Sequence, residues 1–193
     1  SSPFLSQVSE KCRVIPYGID LGRFVRTPVV DAAAGQLRQR YGAPLILFVG
    51  RFRHYKGVDV LLRAMRKIDA RLLLIGTGPM EPAWRAQAEA DGLLGKIIFA
   101  GDFSDEELVA AYHAADMFVL PSTNRAEAYG IVQMEALACG LPVVCTELGT
   151  GTSFVNQDSV TGFVVPPSDP DALAEAISKL LNNSELRRAM GRA

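Results

Sequence analysis

The chain has 193 residues, 49% of them hydrophobic, with 17 Gly and 11 Pro. This size and composition predict one globular α/β domain, or slightly more, with many tight turns. A net charge of −1 and a pI near 6.1 exclude a nucleic-acid binder held by a general basic field. The three cysteines form no spaced pair, so we expect neither a zinc site nor a disulfide framework, and a reducing compartment is favoured.

The first residues are typical of the interior of a longer protein. They lack an initiator Met, and the chain contains no run that would span a bilayer or serve as a signal peptide. We therefore expect an excised domain, with residues 1–12 as an inter-domain linker or the end of a preceding helix. A short strand is predicted at residues 13–16, followed by a turn at 17–20 with Gly18 as its pivot.

Strands and helices are predicted to alternate along the rest of the chain. Apolar runs indicate strands at residues 45–50, 71–76, 96–101, 117–121, 141–146 and 161–166. Helical patterns occupy residues 32–41, 58–68, 82–93, 105–115, 131–139 and 171–181, and a last helix starts at Glu185 with Ser184 as its expected cap. This alternation predicts an α/β fold with a doubly wound parallel sheet of Rossmann-like topology.

Two helix starts carry their own chemical signals. Ser104 and Glu107 have the spacing of a capping box. Asp169-Pro170-Asp171 matches the D-x-D of metal-dependent transferases only superficially, because an N-cap, a first-position proline and a first-turn acid explain it fully. We therefore expect no metal site there.

Two cations follow the strand at residues 45–50, at the end where ligands sit in open α/β sheets. Arg51 offers a planar fork to two oxygens and Lys56 supplies a point charge, so both suit a diphosphate. A solvated basic loop explains the same residues, together with Arg53 and His54.

The strand at residues 71–76 ends in a lone G-x-G, Gly76-Thr-Gly78. A dinucleotide fingerprint would need a third glycine where Glu81 stands, which argues against NAD and a dehydrogenase. The two glycines can equally serve only to permit a tight turn.

Residues 124–140 combine a polar loop with the start of a helix at Gly130. The unpaired amides of a helix N-terminus attract an anion such as phosphate. Glu127 and Glu135 bracket this end, and the helix rises about 7.5 Å from Gly130 to Glu135, so an anion would lie between the two carboxylates. A nucleoside diphosphate sugar has this layout, with hydroxyls on both sides of the phosphates. Taken singly, either acid is better explained as a solvated surface residue.

The motif Glu127-x7-Glu135, with an aromatic-Gly-aliphatic centre, resembles the signature of retaining glycosyltransferases of the GT-B fold, glycosyltransferase family 4 or glycosyl transferases group 1. The resemblance extends from Arg13 to the C-terminus and covers only the C-terminal, donor-binding half of such enzymes. It implies that residues 13–193 bind a nucleotide sugar, GDP-mannose or a UDP-hexose, and that the full protein transfers the hexose to a hydroxyl acceptor with retention. Bacterial polysaccharide or glycolipid synthesis is the implied setting, without a metal.

The resemblance also implies roles for individual residues. Glu127 would contact the hexose and Glu135 the ribose, and Glu127, Arg51 and Lys56 would carry catalysis. The departing diphosphate itself would take the acceptor proton, so the protein's task would be positioning and charge stabilisation. The diphosphate would be held by Arg51, Lys56 and the amides of Gly130, Ile131 and Val132, and the nucleoside by Gly76, Gly78 and Phe103.

The expected partners are the nucleotide sugar and an acceptor, either a sugar or a lipid-linked glycan. The missing N-terminal half would bind the acceptor. We expect a cytoplasmic protein, and peripheral attachment to the inner face of the membrane through that half stays open. Two alternatives share the architecture: a GT-B-like nucleotide-sugar epimerase or phosphorylase, and a non-catalytic nucleotide-binding module.

Overall fold

The structure, a computed structural model, describes residues 4–13 and 15–193. Its centre is one sheet of six parallel strands in the order β3-β2-β1-β4-β5-β6. The strands are β1 (Leu45–Val49), β2 (Arg71–Ile75), β3 (Ile97–Gly101), β4 (Met117–Leu120), β5 (Val143–Thr146) and β6 (Gly162–Val165). The strand order reverses between β1 and β4, so the predicted doubly wound topology is confirmed and its switch point lies beside β1.

Eight α-helices connect and flank the described strands. They are α1 (Pro28–Tyr41), α2 (Val58–Met65), α3 (Glu81–Ala90), α4 (Asp105–Ala114), α5 (Ile131–Ala138), α6 (Thr152–Val155), α7 (Pro170–Asn182) and α8 (Ser184–Arg192). Short 3-10 turns occupy Leu5–Lys11, Leu21–Phe24 and His54–Lys56. In the part of the chain that the structure describes, no helix combines the length and apolar character needed to cross a bilayer.

The core lies on both faces of the central strands. Every residue of β1, β4 and β5 is buried, as expected for parallel strands that helices cover on both sides. The largest fully buried side chains include Trp84, Tyr112, Phe48, Phe52 and Phe118. Each buried large apolar side chain contributes about 1.5–3 kcal/mol. The core therefore fixes the carboxyl ends of the strands, from which the loops of the candidate site emerge.

The predicted caps of two helices are confirmed. Ser104 and Glu107 form the capping box of α4: the Glu107 amide donates to the Ser104 hydroxyl, and the Ser104 amide donates to the Glu107 carboxylate. Asp169 caps α7 by accepting hydrogen bonds from the amides of residues 171 and 172. The D-x-D segment is thus a helix start, as expected.

The starts of helices α1 and α8 are set by caps that the prediction did not identify. Helix α1 begins at Pro28 and not at residue 32, because the Thr27 hydroxyl accepts from the amide three residues later at 3.2 Å and Pro28 is pre-set for the first turn. The cap of α8 is Asn183 and not Ser184: the side-chain oxygen Oδ1 of Asn183 accepts from the amide three residues later at 2.9 Å. In both cases a polar side chain just outside the apolar pattern defines the true start.

The prediction of a strand at residues 13–16 is wrong for the residues of this segment that the structure describes. The described residues of this segment, Arg13, Ile15 and Pro16, form no strand, and Val14 lies outside the described residues. Ile15 is 82% exposed, so the segment buries little apolar surface. Pro16 also has no amide to donate to a neighbouring strand.

Candidate functional site

The loops that follow β1 and β4 lie side by side, because these two strands are neighbours at the switch point. The Thr123 amide donates to the Tyr55 carbonyl oxygen at 2.7 Å. Gly57 adopts φ 66°, and a Cβ atom there would lie 2.0 Å from the Pro121 carbonyl oxygen. The two loops therefore pack backbone against backbone, which brings the basic loop after β1 to the loop that carries Glu127.

Lys56 and Glu127 form a buried ion pair where these loops meet. The Lys56 Nζ lies 2.6 Å from the Glu127 Oε2, and the two side chains are only 10% and 9% exposed. The Ser122 hydroxyl donates to the same Oε2 at 2.9 Å. Burial contradicts the alternative of solvated loop residues for both members of the pair. The resemblance assigns them to different parts of a donor, whereas in the structure each neutralises the other.

The loop that carries Glu127 is supported from the segment after β5. The Thr150 hydroxyl donates to the Glu127 carbonyl oxygen at 2.9 Å, and the Gly151 amide donates to the Ala128 carbonyl oxygen at 2.8 Å. A Cβ atom at Gly151 would lie 2.3 Å from the Tyr129 ring, so only glycine allows this approach. Loops from three strand ends thus fix the backbone around Glu127.

Helix α5 starts at the same place. Gly130 is its N-cap, with φ 74°, and Ile131 is its first residue, the first position of the predicted helical pattern. The first amides of a helix have no acceptor within it and carry its positive dipole end. A cavity of about 410 Å³ opens here, and its lining includes Lys56, Glu127, Gly130, Ile131 and Val132. Five of the predicted site residues therefore meet in one cavity.

A second cavity, of about 320 Å³, lies at the ends of β1, β2 and β3. Arg51, Gly76 and Phe103 are among its lining residues, so three more predicted residues meet there. Sequence reasoning missed Thr77 and Asp102, which also line it; the Thr77 hydroxyl donates to Asp102 Oδ2 at 3.1 Å. Their position directly after predicted strands was the signal that could have identified them.

The G-x-G turn packs tightly on the loop after β1. A Cβ atom at Gly76 would lie 2.2 Å from the Gly50 carbonyl oxygen, and one at Gly78 would lie 2.6 Å from the Phe52 carbonyl oxygen. Both glycines are thus explained by close backbone packing, and Gly78 is not among the residues that line the cavity. The turn holds the loop that carries Arg51.

Glu135 is separate from both cavity linings and is held by a tyrosine. The Tyr112 hydroxyl, from α4, donates to Glu135 Oε2 at 2.7 Å. Burial, with the nearby Glu135 charge as a second cause, raises the pKa of Tyr112 well above its usual value, so the hydroxyl stays protonated. Sequence reasoning missed Tyr112, because nothing in a helical pattern marks which partner its hydroxyl will find.

Two cysteines near this region have pKa values raised by burial. Burial, followed by the Glu135 charge, raises the pKa of Cys139 to about 12, and burial also raises the pKa of Cys145 to about 12. A thiol that stays protonated is a poor nucleophile. Neither residue is a candidate for covalent catalysis. The described residues also contain no group of three or more His, Cys, Asp or Glu side chains that could hold a metal ion.

A parallel doubly wound sheet with a cavity at its switch point, where a buried ion pair meets a helix N-terminus, is typical of α/β domains that bind ligands at the carboxyl ends of their strands. Residues 31–193 match the family described as glycosyl transferases group 1. The chain belongs to this family, which confirms the resemblance found in its motifs.

Named relatives and a solved structure agree with the family. The chain is 36% identical over 191 residues to O-antigen chain mannosyltransferase C of Escherichia coli, covering 99% of this chain and 50% of that protein. It is 38% identical over 192 residues to D-rhamnosyltransferase WbpZ of Pseudomonas aeruginosa, covering 100% and 50%. Sucrose-phosphate synthase from Thermosynechococcus elongatus superposes with a TM-score of 0.84 at 32% identity, covering 98% of this chain and 49% of that one. The chain thus spans about half the length of each.

Proposed function

We propose that this chain is the donor-binding half of a retaining glycosyltransferase that moves a hexose from a nucleotide sugar to a hydroxyl acceptor. Family membership and the names of the two bacterial relatives, a mannosyltransferase and a D-rhamnosyltransferase, support hexose transfer. Polysaccharide or glycolipid synthesis is the setting that the O-antigen relative favours. The donor is GDP-mannose or a UDP-hexose, and the acceptor binds to the half of the enzyme outside residues 13–193.

One observation carries the proposal: Lys56, Glu127 and the start of α5 line a single cavity at the switch point of the sheet. The diphosphate lies at the amides of Gly130, Ile131 and Val132, where the helix dipole stabilises negative charge. Glu127 then faces the hexose hydroxyls. Arg51, at the rim of the neighbouring cavity, offers its guanidinium to the diphosphate from the side of the nucleoside.

The ion pair makes donor binding an exchange of partners. In the described structure Lys56 is neutralised by Glu127, so a diphosphate must draw the ammonium away from the carboxylate. Glu127 then has an oxygen free for the hexose, while Ser122 still holds its Oε2. Bond cleavage leaves a full extra charge on the departing diphosphate, and a cation and helix amides that contact it stabilise that charge most in the transition state.

No metal is part of this mechanism, because Arg51, Lys56 and the helix amides supply the positive charge. Phe103 and the turn at Gly76 and Gly78 form the nucleoside end of the site, the glycines by permitting the turn. The full protein acts in the cytoplasm, with any membrane attachment supplied by its other half.

The alternatives make different demands on the site. A nucleotide-sugar epimerase or phosphorylase would need its own catalytic groups, and a dehydrogenase would need a third glycine after a strand. A non-catalytic module would bind the nucleotide without transferring sugar. An assay of the full-length protein for hexose transfer separates that last alternative from the proposal.

The first test is thermal stabilisation of this chain by GDP, UDP and their sugars. A ligand that binds only the folded state at a hundred times its Kd stabilises by about 2.7 kcal/mol, which is a shift of several degrees in Tm. We expect one base to raise the Tm clearly more than the other. If no nucleotide or nucleotide sugar shifts the Tm at millimolar concentration, the donor-binding assignment is wrong.

The second test replaces cations in the full-length protein. Arg51→Ala and Lys56→Ala should each lower kcat/KM by about a hundredfold, since a charge-assisted hydrogen bond contributes roughly 1.5–3 kcal/mol. Arg53→Ala is the matched control, because Arg53 is exposed in the same loop and belongs to neither cavity lining. Wild-type kinetics in both of the first two variants would remove their assignment.

Substitution of Glu127 and of Glu135 distinguishes the hexose end of the donor from its ribose end. Glu135→Ala should weaken binding of the free nucleoside diphosphate. Glu127→Ala should not weaken it, because the variant lacks the carboxylate that competes with the diphosphate for Lys56, and it should reduce turnover because the hexose loses a contact. Isothermal titration calorimetry and steady-state kinetics measure the two effects, and the reverse pattern would exchange the two roles.

A further inference from the structure

The side chain of Tyr112 is fixed by its surroundings before any ligand arrives. Tyr112 lies on α4 and is fully buried. Its ring packs edge-on to Phe24 at 6.3 Å between centroids and tilted against Phe118 at 5.9 Å. A ring enclosed in this way points its hydroxyl in one direction.

That hydroxyl points at the first turns of α5. It donates to Glu135 Oε2 at 2.7 Å and lies 3.4 Å from the Val132 carbonyl oxygen. Residues 132 and 135 are three positions apart, so they share one face of α5. The contact thus links a rigid core side chain of α4 to Glu135, which lies about one and a half turns after the Gly130 cap.

The hydrogen bond occupies only part of the carboxylate. An ionised carboxylate has about four acceptor positions on its two oxygens, and Tyr112 uses one of them. A ribose presents two neighbouring hydroxyls as donors, which the remaining positions can accept. A glutamate already held in one rotamer loses less conformational freedom when the ribose binds than a free one does.

We propose that Tyr112 is a positioning residue for the nucleoside, which holds Glu135 in the orientation that accepts the ribose hydroxyls. The inference rests on the proposed function, because it takes Glu135 as the ribose contact. Tyr112 itself touches no part of the donor. It acts through Glu135, and the high pKa of its hydroxyl keeps it a donor across the neutral pH range.

A purely structural role makes a different prediction. A buried tyrosine hydroxyl needs an acceptor, and Glu135 could simply be the nearest one. In that case removing the hydroxyl would change stability but would not change how the protein distinguishes a ribose from a deoxygenated sugar. The discrimination between these ligands is therefore the informative measurement.

The experiment compares a nucleoside diphosphate with its 2′,3′-dideoxy analogue by calorimetry on this chain, with whichever of GDP and UDP binds more tightly. The wild type should prefer the ribose form. Tyr112→Phe should weaken that form about five- to tenfold, the range of one lost hydrogen-bonding interaction, and leave the dideoxy form nearly unchanged. Tyr41→Phe, which removes a hydroxyl from α1, is the matched control and should change neither affinity.

Glu135→Ala provides the second variant, because it leaves no acceptor for the Tyr112 hydroxyl or the ribose. If Tyr112 acts through Glu135, the double variant Tyr112→Phe/Glu135→Ala should bind the ribose form no more weakly than Glu135→Ala alone, since the two effects are coupled. This comparison is made at the level of affinity and is independent of the stability that each variant loses.

The outcomes separate the inference from the function on which it rests. Equal ribose preference in the wild type and in Tyr112→Phe, or strictly additive losses in the double variant, would overturn the role of Tyr112 and leave the donor site intact. A wild-type chain that binds neither GDP nor UDP would overturn both.

Discussion

Because Lys56 and Glu127 are both buried, their pairing affects the stability of the fold as well as the proposed function. Taking an ammonium and a carboxylate out of water costs several kcal/mol per ion, which the attraction between them repays only when the contact is short and further hydrogen bonds complete it. The 2.6 Å contact and the Ser122 hydroxyl meet that condition. In the proposed diphosphate site, Glu127 thus stabilises the buried Lys56 until the diphosphate takes its place.

The buried ion pair predicts that replacing Lys56 destabilises the fold more than replacing Arg51 does. Lys56→Met should lower the free energy of unfolding by about 3–5 kcal/mol, because it leaves the Glu127 carboxylate buried without a partner. Adding Glu127→Gln should recover most of that loss. Arg51→Met is the control, since Arg51 is exposed and its replacement should stay within about 0.5 kcal/mol. Urea unfolding of the four proteins measures the differences, and a Lys56→Met variant as stable as Arg51→Met would contradict the buried pair.

Residue roles could be predicted from the sequence only where a motif marks them. Lys56 and Glu127 were recognised singly, but their contact joins positions 71 residues apart, and no local pattern encodes such a distance. The Tyr112–Glu135 contact escaped for the same reason, since it depends on where the fold places α4 relative to α5. Contacts between elements follow from tertiary packing, which the spacing of residues within one element does not contain.

At the scale of elements, the sequence predicted what depends on periodicity and missed what depends on boundaries. The six sheet strands were found because buried parallel strands are continuous apolar runs. The starts of α1 and α8 shifted because their caps, Thr27 and Asn183, stand next to the pattern and not in it. The strand expected at residues 13–16 failed because an apolar run needs a neighbouring strand as well as apolar residues.

Helix α5 depends on a glycine at its first turn. Gly130 has φ 74°, and a Cβ atom there would lie 2.6 Å from Gln133 Nε2 and 2.8 Å from Leu120 Cδ2. The left-handed conformation alone costs a non-glycine residue about 1–2 kcal/mol. Relief of this strain would turn the first amides of α5 away from the cavity.

We therefore expect Gly130→Ala to lower the free energy of unfolding by at least about 1–2 kcal/mol and to weaken nucleoside diphosphate binding. Gly35→Ala makes the same change inside α1, where nothing lies within 4 Å of the added Cβ. That control should raise stability by roughly 0.5–1 kcal/mol and leave binding unchanged. Urea unfolding and calorimetry report both quantities, and equal behaviour of the two variants would show that the cap conformation is dispensable.

At the scale of the whole molecule, the switch point of the sheet explains why the site residues come from distant parts of the chain. The order β3-β2-β1-β4-β5-β6 places the loops after β1 and β4 next to each other, and it places those after β2 and β3 on the other side of Arg51. Two cavities result at this edge of the sheet, one with the helix cap and the ion pair and one with Phe103.

The chain spans about half of each named relative, so binding and transfer should separate experimentally. We expect this chain alone to bind GDP or UDP and to leave the nucleotide sugar unchanged, because the acceptor must be held within reach of the hexose before the transition state can form. The full-length protein, given the same donor and an acceptor glycan, should release nucleoside diphosphate as product. Chromatography of the nucleotides after incubation measures both reactions at equal protein concentration. Product release by this chain at the rate of the full-length protein would mean that the donor half holds every group that the reaction needs.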